Sequence, residues 1–161
     1  MKKKLSSEIK KNIRIVKDFP IKNIFFQDIT SLADNPSLFK KIISELSQYI
    51  KDNKISKVAG IEARGFIFAS ASAFKCNLPL VLIRKKGKLP GSVYTQKYKL
   101  EYGFDEIQVH KNSINSDDKV LIIDDLVATG GTAIASIKLI KKFKPKEIFF
   151  YTIIDLKNLN G

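Results

Sequence analysis

The densest run of potential chemistry in this 161-residue chain lies between Val120 and Thr132, which reads VLIIDDLVATGGT. It sets an apolar run, two adjacent acids, a small-residue loop and a helix start in that order. Successive N–H groups in such a loop can surround a phosphate, helped by the dipole of the helix that follows. Gly130 and Gly131 allow close backbone approach, and Thr129 and Thr132 add hydroxyl donors. Asp124 and Asp125, at the carboxyl end of the run, suit the two hydroxyls of a ribose. No Gly-Lys-Ser/Thr follows, so the loop is not a P-loop, and it lacks the G-x-G-x-x-G dinucleotide pattern. A plain strand-loop-helix turn with an aspartate cap is the ordinary alternative, and two glycines alone would favour it.

Composition says which other residues to weigh. The formal charge is +13, with 26 Lys, 3 Arg and 23 Ile. A basic chain raises the prior for nucleic acid, but this skew reads as a background bias toward Lys and Ile at tolerant positions. Scattered lysines such as Lys10, Lys54 and Lys146 are a solvated surface. Where lysine is the default cation, a surviving arginine points to a need for a planar fork. One cysteine, Cys76, excludes an intramolecular disulfide, and one histidine, His110, excludes a zinc site built from several Cys and His. Cys76 reads as a small buried hydrophobe and His110 as an ordinary strand residue. No stretch approaches the ~18 apolar residues of a membrane span. The basic head has no apolar region behind it, so it is no signal peptide. The expectation is a soluble cytoplasmic domain.

The elements that must position these residues alternate along the chain. Leu5, Ile9, Ile13 and Val16 recur at helical spacing and predict a helix over 5–17, ended by Phe19-Pro20. Asn35-Pro36 starts a second helix, with an apolar stripe running to Ile50. Strands are expected at 57–61, 80–83, 120–123 and 148–154, and helices at 65–74 and around Ile134 to Phe143. The expected fold is α/β, a mostly parallel twisted sheet flanked by helices. Residues 87–111 differ, being polar and aromatic with Tyr94, Tyr98 and Tyr102 evenly spaced. A hairpin or ribbon over the sheet end is expected there.

The string from Val120 to Thr132 resembles the phosphoribosyl-diphosphate (PRPP) motif of the type I phosphoribosyltransferases. Further strings narrow the resemblance to the adenine phosphoribosyltransferases: Asp18-Phe19-Pro20, residues 24–30 (IFFQDIT), 60–66 (GIEARGF), 84–91 (RKKGKLPG) and 100–103 (LEYG). They stand in that family's order and spacing over residues 18–156. The resemblance implies transfer of the phosphoribosyl group of PRPP to adenine, giving AMP and pyrophosphate. It implies one phosphoribosyltransferase domain over 1–161, with a mobile cover segment over 87–110. Asp124 and Asp125 would hold the ribose hydroxyls, and Ala128, Thr129, Gly130, Gly131 and Thr132 the 5′-phosphate. Glu62, Ala63, Arg64, Arg84, Lys85 and Lys88 would bind pyrophosphate, with a non-proline cis peptide in the 62–65 loop. Phe26 would stack on adenine, the backbone of Phe25 and Gln27 would read its edge, and Leu156 would close its other side. Glu101 would manage a proton on the purine with Arg64 as the second catalytic group, and Tyr102 would belong to the cover.

The implied cofactor is Mg²⁺, carried mainly by PRPP and touched by Asp124 through water, with no direct protein ligand. The implied assembly is a homodimer in which Arg84 lies near the partner active site, with no membrane and no nucleic acid involved. Gln27 stands where relatives often carry Arg, and Lys22-Asn23 replaces their Pro-Gly. Relatives usually continue beyond residue 161 through a further helix and strand, which are expected to be absent here. Two rivals remain: a phosphoribosyltransferase for 6-oxopurines or orotate, and a PRPP-sensing regulator that binds nucleic acid. Residues 24–30 and 100–103 argue against the first. The absence of a helix-turn-helix candidate argues against the second.

Overall fold

The computed structural model describes residues 3–99, 103–156, 159 and 161. The chain forms two compact units, residues 1–49 and 50–161. In the first, helix α1 (Lys3–Asn12) buries Leu5 and Ile9. The helix expected over 5–17 therefore stops early. Residues Arg14–Lys17 form strand β1, paired antiparallel with β2 (Phe25–Asp28). The β-branched run Ile13, Ile15, Val16 satisfies a strand as readily as a helix, and pairing with β2 decides the outcome. Phe19-Pro20, a cis peptide, lies in the connection between the two strands. A short helix, α2 (Thr30–Ala33), leads to α3 (Pro36–Asp52), where the Asn35 Oδ1 caps the Leu38 N–H at 3.1 Å as expected.

The second unit is built on a six-stranded sheet of order β5-β6-β4-β3-β7-β8. Its strands are β3 (Lys57–Ile61), β4 (Leu80–Lys85), β5 (Val93–Lys99), β6 (Phe104–His110), β7 (Lys119–Val127) and β8 (Glu147–Asp155). Pairs β3–β4, β3–β7 and β7–β8 are parallel, and β4–β6 and β5–β6 antiparallel. The 87–111 segment is thus a hairpin, as expected, but it extends the sheet edge through β4 rather than standing apart from it. Helix α4 (Gly65–Cys76) packs on one face, where a Cβ at Gly60 would meet Ala69 at 2.8 Å. Helix α5 (Gly131–Lys141) closes a core of Ala59, Ile61, Val81, Ile83, Val120 and Ile122 on the other. Central parallel strands are buried on both faces, which is why they read as continuous apolar runs. Cys76 is half-buried, not buried, because it ends α4 at the surface. Among the described residues no helix is long and apolar enough to cross a membrane.

Candidate active site

At the carboxyl ends of β3 and β7 the chain leaves a cavity of about 270 Å³, lined by residues 61–64 and 124–133. Open parallel sheets put their ligand crevices at such ends. Strand β7 carries Asp124 and Asp125 into it, 8% and 4% exposed. The Asp124 Oδ1 accepts the Asp125 N–H at 2.9 Å. Burial, and then the neighbouring Asp125 carboxylate, push the Asp124 carboxyl up to about 8, against the pull of Arg64.

Past the acids, Gly130 adopts φ +81 and is the N-cap of α5. A residue with a Cβ is strained there, and glycine has no side chain with which to cap the helix. The first N–H groups of α5 then face the cavity beside the Thr129 and Thr132 hydroxyls. The turn at 62–64 enters from β3, and the Glu62–Ala63 peptide is cis, as the resemblance implies. Its Arg64 Nε lies 2.9 Å from Asp125 Oδ2. Gly65 opens α4 against β7, where a Cβ would meet the Ile123 carbonyl at 2.8 Å and Asp124 Oδ1 at 3.2 Å. Only a glycine lets the helix start this close to the acid pair.

A second cluster adjoins the 62–64 turn. Glu62 accepts from Arg84 Nε and Nη2, each at 3.3 Å, and from the Lys85 N–H at 2.8 Å. Burial raises the Glu62 carboxyl, but the Lys85 amide and Arg84 outweigh it and hold it below its ordinary value. Glu62 therefore anchors the Arg84 guanidinium and the Lys85 main chain beside the turn. Arg84 Nη1 also donates to the Lys88 carbonyl at 3.1 Å, bracing the turn that runs from Lys85 at the end of β4 to Lys88.

Two residues of this neighbourhood are not among the expected site residues, although Tyr98 is one of the evenly spaced tyrosines of the ribbon. Gln108, 9% exposed on β6, accepts the Gly87 N–H at 2.9 Å and donates to Thr95 Oγ1 at 3.1 Å. Tyr98 on β5 lies 3.3 Å from Asp105 Oδ2 and hydrogen-bonds Thr132. Burial raises the Tyr98 hydroxyl above its ordinary value, with the Thr132 contact opposing it. A Gln and a Tyr on a polar ribbon look ordinary in isolation, because their partners lie on other elements.

Asp124, Asp125, Ala128 to Thr132 and Glu62 to Arg64 thus converge on one cavity, with Arg84, Lys85 and Lys88 beside it. Leu156 is half-buried just beyond β8, its N–H donating to the Val127 carbonyl at 3.0 Å at the same sheet end. Phe25, Phe26 and Gln27 lie on β2 of the first unit. The Phe26 ring is half-buried there, edge-on to Phe19 at 5.1 Å between centroids, and Phe25 is 64% exposed. Glu101 and Tyr102 lie outside the described residues. Among the described residues no group of three or more His, Cys, Asp or Glu could hold a metal. An adjacent carboxylate pair fits a Mg²⁺ that keeps waters and is shared with substrate phosphates.

The phosphoribosyl transferase domain family matches residues 28–158. An adenine phosphoribosyltransferase of Brachyspira hyodysenteriae is 44% identical over 154 residues, covering 96% of this chain and 91% of its own. The crystal structure of adenine phosphoribosyltransferase from Rhodothermus marinus superposes with a TM-score of 0.90 at 40% identity, covering 99% of this chain and 91% of that one. The Saccharomyces cerevisiae adenine phosphoribosyltransferase, crystallised with an imino-altritol bisphosphate and adenine, gives 0.91 at 33% identity, covering 98% and 92%.

Proposed function

The chain belongs to the adenine phosphoribosyltransferases, and from that premise we propose how its residues divide the family's work. It transfers the phosphoribosyl group of PRPP to adenine, releasing AMP and pyrophosphate. The observation that carries the assignment of roles is the single cavity holding a buried acid pair, a glycine-started helix and the 62–64 turn. Residues 128–132 bind the 5′-phosphate through backbone N–H groups and the Thr129 and Thr132 hydroxyls. Asp124 and Asp125 accept hydrogen bonds from the ribose hydroxyls, which fixes the sugar for displacement at C1.

As the C1–oxygen bond breaks, negative charge grows on the pyrophosphate. Arg64, Arg84, Lys85 and Lys88 meet it with charge-assisted hydrogen bonds. Arg64 reaches it from its resting partner Asp125, and Arg84, held on Glu62 at the edge of the site, is the cation proposed to serve the neighbouring subunit. When Mg²⁺ is bound with PRPP, Asp124 would hold it through water and it would supply neutralisation of part of the phosphate charge. Adenine N9 attacks C1 while Phe26 stacks on the base and Leu156 closes its other face. Glu101 accepts the proton that the purine loses, and Tyr102 covers the closed site. Phe25 and Gln27, two apart on one strand, aim their backbone groups at the same edge. That common direction supports reading of the adenine edge by main chain.

The active form is a homodimer that brings Arg84 close to the partner active site. Support comes from exposed apolar side chains of the second unit, Phe74 at 91% and Leu80 and Leu82 at 37% and 36%. The reaction runs in the cytoplasm, a reducing compartment that suits the thiol of Cys76.

The test is a panel of nucleobases with PRPP and Mg²⁺. Adenine presents an amino donor and an N1 acceptor; hypoxanthine presents the reverse. A fixed backbone reader cannot satisfy both, and sites of this kind discriminate by ~10⁴ or more. Comparable turnover of hypoxanthine or guanine would sink the backbone-reading proposal.

A further inference from the structure

The third arginine is left unused by the chemistry above. Arg14 stands on β1 directly opposite Asp28 on β2. Its Nε and Nη2 donate to Asp28 Oδ2 at 2.9 and 2.5 Å, and Nη2 also reaches Thr30 Oγ1 at 3.2 Å. The other carboxylate oxygen of Asp28 accepts the Thr30 N–H at 3.0 Å and its hydroxyl at 2.7 Å. Ser31 ties the backbones: its hydroxyl donates to the Asp28 carbonyl at 2.8 Å and accepts the Arg14 N–H at 3.0 Å.

The strands joined this way are further tied by the Phe19–Phe26 edge contact and by the Asn23 N–H on Asp18 in the connection, but the Arg14–Asp28 fork is the tie at their open end. They are four residues each and form a sheet of their own. Ile15 is 56% exposed and Phe25 64%. Two-stranded pairs are marginal in water, and the face that carries Val16 and Phe26 is only half-buried, so burial alone specifies the register weakly. A slip of one residue would send Phe26 to the opposite face and turn the backbone groups of Phe25 and Gln27 to the other edge. A planar fork with two donors on one carboxylate, placed at a paired position, opposes that slip. A lysine offers one point charge and no such geometry.

We infer that Arg14 is a positioning residue for the base: by gripping Asp28 across the strand pair it sets the register of β2, and with it the placement of Phe26, Phe25 and Gln27 against adenine. This rests on the base-reading role proposed above. The Arg14 side of the pair is 56% exposed, and ion pairs open to water contribute little to global stability, so the loss should fall on adenine recognition and spare the fold.

The experiment compares Arg14→Ala, Arg14→Lys and Asp28→Asn with Phe26→Ala as the reference, measuring KM for adenine, calorimetric PRPP affinity and Tm. Arg14→Ala should raise the adenine KM about tenfold. Arg14→Lys should recover only part of it, and Asp28→Asn should resemble Arg14→Ala. PRPP affinity and Tm should stay near wild type in all three. If Phe26→Ala raises the adenine KM and the Arg14 variants do not, the positioning role is overturned while the base site stands. If Phe26→Ala leaves it unchanged, the base-site reading itself falls. Parallel losses of adenine KM, PRPP affinity and Tm also overturn the inference, because they mark a general structural tie. Should Arg14→Ala fail to fold, Arg14→Lys carries the same test with a smaller shift.

Discussion

A carboxyl titrating near 8 at the heart of an anion site is a liability the ligand can use. Asp124 keeps its proton in the folded enzyme at neutral pH, because burial and Asp125 disfavour its charge. Ionised, it accepts hydrogen bonds from the ribose hydroxyls more strongly than in its neutral form, so PRPP binding should favour release of that proton. Calorimetry in buffers of different ionisation enthalpy should find fewer protons released by Asp124→Asn than by wild type, together with weaker PRPP binding. Stability moves the other way. Below the ordinary carboxyl value, near 3.8, Asp124 is protonated folded and unfolded alike and costs nothing. As pH rises toward about 8 the unfolded chain ionises while the folded one resists, and that contribution to stability is lost. The Asp124→Asn variant escapes this loss, so its Tm advantage should be small near pH ~4 and grow to several degrees above pH ~8. A Tm difference that stays flat with pH would reject the assignment. The acid pair was legible in sequence, and so was the value of Arg64 and Arg84, though not that of Arg14. The carboxylate that each arginine grips was not. Arg64 with Asp125, Arg84 with Glu62 and Arg14 with Asp28 pair across elements that only the fold brings together.

Strand positions were legible where both sheet faces are buried, as in β3 and β7, since an apolar run bounded by turns has one good use there. The pattern failed where pairing, not burial, decides. Residues 14–17 follow α1 and carry apolar side chains at a helical interval, yet the Arg14 N–H goes to Ser31 and the strand to β2. The ribbon is legible as a hairpin, but not its seat on β4, which rests on only two paired positions, Arg84 with Gln108 and Lys85 with Ile107. Gln108 reinforces that seat by holding the Gly87 N–H and Thr95. Gln108→Leu would leave the Gly87 N–H without its partner and loosen the turn from Lys85 to Lys88. Pyrophosphate should then inhibit about tenfold less well, while AMP affinity, which draws on the phosphate loop and the base site, stays close to wild type. Unchanged pyrophosphate inhibition would remove Gln108 from the account of that turn.

At the scale of the molecule, the +13 charge told least of all, because 26 Lys dispersed over the surface describe a composition and not a site. The apolar surface is more specific. Leu80 and Leu82 pair with Val58 and Gly60, which puts their side chains on the sheet face that α4 covers. They remain partly exposed there, and Phe74 of α4 is almost wholly so. A phenylalanine left 91% in water forfeits most of the gain its burial would bring, roughly 1.5–3 kcal/mol for a side chain of this size. A second copy of the chain meeting this face would recover it, and β4, whose end carries Arg84, runs through the same face. Phe74→Glu should therefore shift sedimentation from dimer toward monomer, since a charge buried in an apolar contact is costly. Turnover should fall with it and recover at high protein concentration, because Arg84 would again reach the partner active site. A wild-type enzyme that sediments as a monomer at full activity would refute the dimer. A Phe74→Glu dimer of undiminished stability would move the contact to another face.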